Sequence, residues 1–157
     1  MIRNEELFDL SLPAGFDGRF EWDFLKPAFR PTRIEPMDLD AVIERHGQFL
    51  VFETKRFPDT PIPEGQRITL NALLKTGRFT VFVLRGKTAD TISSLLVCYP
   101  GSTMGTGKHK QPADARYVIE RTRAWFKWAS AKPPPSPEEW EDDAWLQSYE
   151  RASERAR

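Results

Sequence analysis

The sequence predicts a single α/β domain, and three observations carry that expectation. Two short segments of alternating polarity meet at His46-Gly47. A helix-period segment, Gln66 to Thr76, leads directly into the apolar run Phe79 to Leu84. A second apolar run, Ile92 to Tyr99, precedes a long amphipathic segment, Ala113 to Ala131. Strand-period and helix-period segments thus follow one another along the chain, the pattern of a sheet with helices laid against it.

The hairpin comes first. Met37, Leu39, Ala41 and Ile43 alternate with Asp38, Asp40, Val42 and Glu44, and a period of two puts the two sets on opposite faces. On the second strand Val51, Glu53, Lys55 and Phe57 share a face, with Leu50, Phe52 and Thr54 on the other. A tight turn centred on His46-Gly47 places Asp40 opposite Glu53 and Asp38 opposite Lys55, directly opposed Cβ atoms being about 5 Å apart. Like charges so placed repel, so Asp40 and Glu53 require a cation between them or a retained proton. Carboxylate oxygens are hard ligands that suit Mg²⁺ or Mn²⁺. The metal ligands on this reading are Asp40 and Glu53, with Asp38 a second candidate or a partner for Lys55. Lys55, on the face of Glu53, brings a compact positive charge to an attacking water or a phosphate.

After Pro61-Ile62-Pro63-Glu64-Gly65 the helix runs from about Gln66 to Thr76 and stops at Gly77, a common left-handed C-terminal position. Gln66, Leu70, Leu73 and Gly77 follow helical spacing, which sets Gln66 in the first turn, continuous with the buried stripe. A glutamine there can orient a water or a phosphate oxygen. The run Phe79 to Leu84 reads as a buried strand beside the hairpin.

An aspartate on one strand, E-x-K on the next and a glutamine opening the following helix resemble the PD-(D/E)XK, or restriction-endonuclease-like, nuclease superfamily, and within it the small VRR-NUC, RecB-type and archaeal junction-resolvase branches. The resemblance spans roughly residues 34 to 85. It implies a mixed central sheet flanked by helices and Mg²⁺-dependent cleavage of phosphodiesters, usually in DNA, structured DNA included. It also implies catalytic roles for Asp40, Glu53, Lys55 and Gln66. Two departures stand out: Leu39 takes the place of the motif proline, and Asp38 sits beside Asp40. Many members carry an acidic residue in an N-terminal helix, for which Glu5, Glu6 and Glu21 are candidates here. Each element alone is commonest as a solvated charge; their conjunction points to a site.

The candidate nucleic-acid contacts are Arg56, Arg67, Lys108 and Lys110. The last two belong to Gly101-Ser-Thr-Met-Gly-Thr-Gly-Lys108-His109-Lys110, which fails the phosphate-loop pattern because five residues separate Gly101 from Gly107 and His109 replaces the required Ser or Thr. It reads either as a clamp on the DNA backbone or as a plain mobile loop. Arg30 and Arg33 read as surface arginines, with phosphate contact the alternative.

With 23 basic against 23 acidic side chains in 157 residues, net charge carries no signal for DNA, and any basic surface is local. The lone Cys98 excludes an internal disulfide and fits a reducing cytoplasm. No apolar stretch approaches the roughly 20 residues of a membrane span, and no export leader is evident. Prolines 13, 27, 31 and 36 among scattered aromatics predict an irregular N-terminal segment with a short helix near Asn4 to Leu10. In the helix Ala113 to Ala131, Val118, Thr122, Trp125 and Ala129 form a core stripe with Ile119 and Phe126 beside it; base stacking by Trp125 or Trp128 is the alternative. The nuclease-like domain is then 1–131, a stiff Pro-rich linker 132–137, and a helical tail 138–157 that packs on its own domain or makes a homodimer. A noncatalytic nucleic-acid-binding or accessory subunit, or a protein-interaction module such as an inhibitor, is the competing function.

Overall fold

The computed structural model describes residues 23–104, 110–136 and 154. The short helix expected near Asn4 to Leu10, the acidic candidates Glu5, Glu6 and Glu21, Lys108, His109 and nearly all of the tail lie outside the described residues. The chain groups into two compact units, Met1–Met37 and Asp38–Arg157. In the first, a 3₁₀ helix covers Asp23–Phe29, where Lys26 pairs with Asp23 at 2.9 Å and with Glu35 at 3.8 Å. Arg30 and Arg33 are exposed on that unit.

The second unit is a mixed, open five-stranded sheet with two helices. Its elements are β1 (Ala41–Arg45), β2 (Gln48–Lys55), α1 (Glu64–Lys75), β3 (Phe79–Arg85), β4 (Ser94–Cys98), β5 (Lys110–Pro112) and α2 (Ala115–Ser130), and the strands lie side by side in chain order. The hairpin forms because His46 and Gly47 both hold positive φ, 50° and 72°, as the twist-matched two-residue turn requires. Glu44 accepts the Gly47 N–H at 2.7 Å. The ladder runs from Ala41↔Phe52 to Arg45↔Gln48, the register that alternation predicts, but β1 starts only at Ala41. Asp38 and Asp40 precede the strand rather than belonging to it.

From β2 the chain crosses over through α1 and returns as β3, parallel to β2, with Glu53 beside Val83 and Lys55 beside Arg85. Gly77, at φ 78°, ends the helix and donates to the Leu74 carbonyl at 3.1 Å. β4 and β5 add antiparallel to the edge. Alternation sends Leu50, Phe82, Leu95 and Val97 to the face covered by α2, where they pack with Trp125 and Ala129. Val51, Val81 and Val83 are buried on the other face, where Leu70 and Leu74 of α1 are also fully buried. Cys98 lies in β4, and burial pushes its thiol up to about 11.

Two expectations change. Ile119 and Phe126 are each 50% exposed rather than core, because they sit roughly 80–100° round α2 from the Val118–Trp125–Ala129 line; the guanidinium of Arg45 lies 5.4 Å from the Phe126 ring centre. The proline run also makes contacts where it begins: Lys132 presents its carbonyl to His46 Nδ1 at 2.8 Å, and a Cβ on Gly47 would come within 2.6 Å of Pro135. Gly47→Ala thus meets both a left-handed backbone and a clash, and is expected to lower stability by about 1–3 kcal/mol in urea unfolding. Parental stability would mean that Pro135 moves aside freely.

Candidate functional site

Glu53 and Lys55 leave β2 on one face, and α1 brings Gln66 to meet them. The Lys55 ammonium donates to Glu53 Oε1 at 2.8 Å and to Gln66 Oε1 at 2.7 Å. Both charged side chains are withdrawn from water, at 4% exposure for Glu53 and 12% for Lys55. The second carboxylate oxygen, Glu53 Oε2, is buried and has no hydrogen-bond partner among the described residues. A carboxylate loses far more than a neutral group when buried unsatisfied, so sequences tolerate such an atom mainly where it has work to do.

Asp40 goes elsewhere than predicted. Its Oδ2 accepts from the Thr54 N–H at 2.7 Å and from the Thr54 hydroxyl at 2.5 Å. Because β1 stops at Ala41, the Thr54 amide lacks a ladder partner there, and the aspartate fills that role. Asp40 is exposed, and Oδ1 carries no hydrogen bond from the described residues. Asp38 is exposed too, and the expected Asp38–Lys55 pair is replaced by Lys55–Glu53, since residues 38 and 39 lie outside the ladder that would have held Asp38 opposite. Among the described residues no three of His, Cys, Asp and Glu gather into a cation cluster.

The basic candidates differ from one another. Arg56 is exposed over the Phe57 ring at 5.5 Å, and Arg67 is exposed with Glu64 3.6 Å away. Lys110 is not in a loop but in β5, a three-residue strand with no apolar pattern to announce it. Through Lys110↔Leu96, Leu96↔Val83 and Val83↔Glu53 it stands in the same cross-sheet row, and on the same face, as Glu53. Its ammonium lies 3.4 Å from the Pro58 carbonyl.

Two residues given no role by the sequence join the site. Thr54 holds Asp40, as above. Arg85, beside Lys55 on the parallel strand, donates to the carbonyls of Phe57 (3.2 Å) and Thr60, and the Gly86 N–H donates to the Lys55 carbonyl at 2.9 Å. These bonds tie the segment after Lys55 to the end of β3. The only local signal for Arg85 is a cation closing an apolar run.

The arrangement holds a positive charge between a buried carboxylate and an amide oxygen at the C-terminal ends of parallel strands β2 and β3, where open α/β sheets commonly bind ligands. Compared with protein-family models, with curated proteins and with solved structures, the chain gives no match.

Proposed function

We propose that this protein hydrolyses DNA phosphodiesters with the help of Mg²⁺ or Mn²⁺. The observation that carries the reading is Glu53: buried, with one oxygen on Lys55 and the other without a partner. The donor chemistry of two carboxylates suits the ion. Glu53 Oε2 and Asp40 Oδ1 are hard oxygen donors, and Mg²⁺ is commonly held by one or two carboxylates with water and substrate phosphate completing its shell. A bound divalent cation supplies Lewis acidity toward the scissile phosphate. The chain's own residues do the rest. Lys55 offsets negative charge developing on the phosphoryl oxygens, Glu53 and Gln66 hold its ammonium in place, and Arg56, Arg67 and Lys110 supply phosphate contacts that position the DNA without reading its sequence. The order hairpin, helix, parallel strand also agrees with the architecture implied by the restriction-endonuclease-like resemblance.

One observation favours the noncatalytic alternative: Asp40 is already engaged by Thr54, and no third acidic residue joins Glu53 among the described residues. Calorimetric titration with Mn²⁺ separates the two. The parent is expected to bind, and Asp40→Ala and Glu53→Ala each to weaken binding by about tenfold or more, since loss of even an outer-shell partner of a metal ligand costs that much. Asp38→Asn is expected to keep parental Mn²⁺ affinity. Equal affinity in the parent, Asp40→Ala and Glu53→Ala removes the metal site, and cleavage assays on linear, circular, single-stranded and junction DNA then decide whether any activity remains. No helix among the described residues is long and apolar enough to cross a membrane.

A further inference from the structure

On the sheet face away from Glu53, α2 and β3 border a cavity of about 420 Å³, within the range of small-molecule sites. Its helical wall is Arg121, Ala124, Trp125 and Trp128, whose spacing of three and four puts them on one side of α2. Thr80 and Phe82, alternate residues of β3, form the opposite wall, and Tyr99 lies at one end. The small side chain of Ala124 leaves the space between the larger ones open.

Two wall residues also carry a donor closed off from water. Arg121 Nε and Trp125 Nε1 are buried without a hydrogen-bond partner among the described residues, while Arg121 Nη2 donates to the Tyr99 hydroxyl at 2.7 Å. Trp125 is only 6% exposed. A buried donor left unmade is destabilising, most of all on a charged group. No carboxylate among the described residues forms an ion pair with Arg121. Flat aromatic walls and one guanidinium with no carboxylate partner among the described residues make a definite chemical request.

We infer that this cavity binds a planar aromatic anion. The ring lies against Trp125, Trp128 and Phe82, and the oxygens of its carboxylate or phosphate accept hydrogen bonds from the Arg121 guanidinium. The inference does not rest on the nuclease reading. Thr80 lies near the start of β3 whereas Lys55 pairs with Arg85 at its far end, roughly 16 Å along the strand and on the other face.

Calorimetry and tryptophan fluorescence with four probes test it: 1-naphthoate and 1-naphthyl phosphate as aromatic anions, 1-naphthalenemethanol as the neutral ring, and inorganic phosphate as the bare anion. One or both aromatic anions should saturate the protein, and which one does identifies carboxylate or phosphate as the preferred head. The neutral ring and the bare anion should bind about tenfold or more weaker, as should the best aromatic anion to Arg121→Gln, Arg121→Lys or Trp125→Phe. Arg121→Lys keeps the charge but loses the planar guanidinium fork, and stands in should Arg121→Gln not fold. Ala124→Leu, which fills the cavity, should abolish binding with an unchanged circular dichroism spectrum, and Glu53→Gln should bind as the parent does. The proposal is overturned if neither aromatic anion saturates at millimolar concentration, if the neutral ring or bare phosphate binds as well, or if folded Arg121 and Ala124 variants keep parental affinity. Loss of probe binding in a folded Glu53→Gln protein would overturn it equally, by moving the probe to the other face.

Discussion

Lys55→Ala is expected to slow single-turnover DNA cleavage by about 100-fold or more, the size of effect that follows loss of one fixed donor to a developing negative charge. The ammonium is held by Glu53 and Gln66 at 2.8 and 2.7 Å and is largely shielded from water, so its charge is both oriented and weakly screened. DNA affinity, measured with Ca²⁺ in place of Mg²⁺, should change little, since one phosphate contact is a small share of a multi-contact interface. The assay is run well below the unfolding temperature of the variant, because the change leaves Glu53 without its counter-charge. Cleavage at the parental rate would sink the mechanism. A protein that cuts slowly only because it no longer binds DNA would reduce Lys55 to a phosphate anchor.

The second large effect is on stability and comes from the same pair. With both side chains mostly buried, removing either partner strands the other charge, and single replacements Glu53→Gln and Lys55→Met should each lower the unfolding free energy by about 3–5 kcal/mol. The double variant should recover much of that, since it buries neither charge, yet remain inactive. Urea unfolding of the four proteins gives the coupling energy directly. Additive losses would mean that Glu53 and Lys55 act independently and that the ion pair is incidental to the fold.

Much of the candidate site can be read from the sequence. The hairpin register follows from a period of two on each side of His46-Gly47, and both residues do hold positive φ. Gln66 meets Lys55 because a helix beginning just after Pro63 carries its first-turn side chain back over the strand it left. Less legible is anything that depends on where an element stops. Alternation alone sends Asp40 toward Glu53, but β1 begins one residue too late and the carboxylate turns to Thr54. Lys110 reads as part of a glycine loop because three residues without an apolar pattern become a strand only when β4 lies beside them.

By itself the sequence determined the order of elements apart from β5, the turn and its register, the shared face of Glu53 and Lys55, and the stripe that makes Trp125 a core residue. These are set by interactions between near neighbours in the chain: side-chain alternation, turn conformation and helical spacing. Only the tertiary structure decided that β3 runs parallel to β2, that Arg85 stands beside Lys55 and ties down the segment after it, that Glu53 is buried with one oxygen unpartnered, and that Lys55 takes Glu53 rather than Asp38. Burial and ion-pair choice depend on segments far apart in sequence that compete for the same space, and no local pattern records which of them arrives.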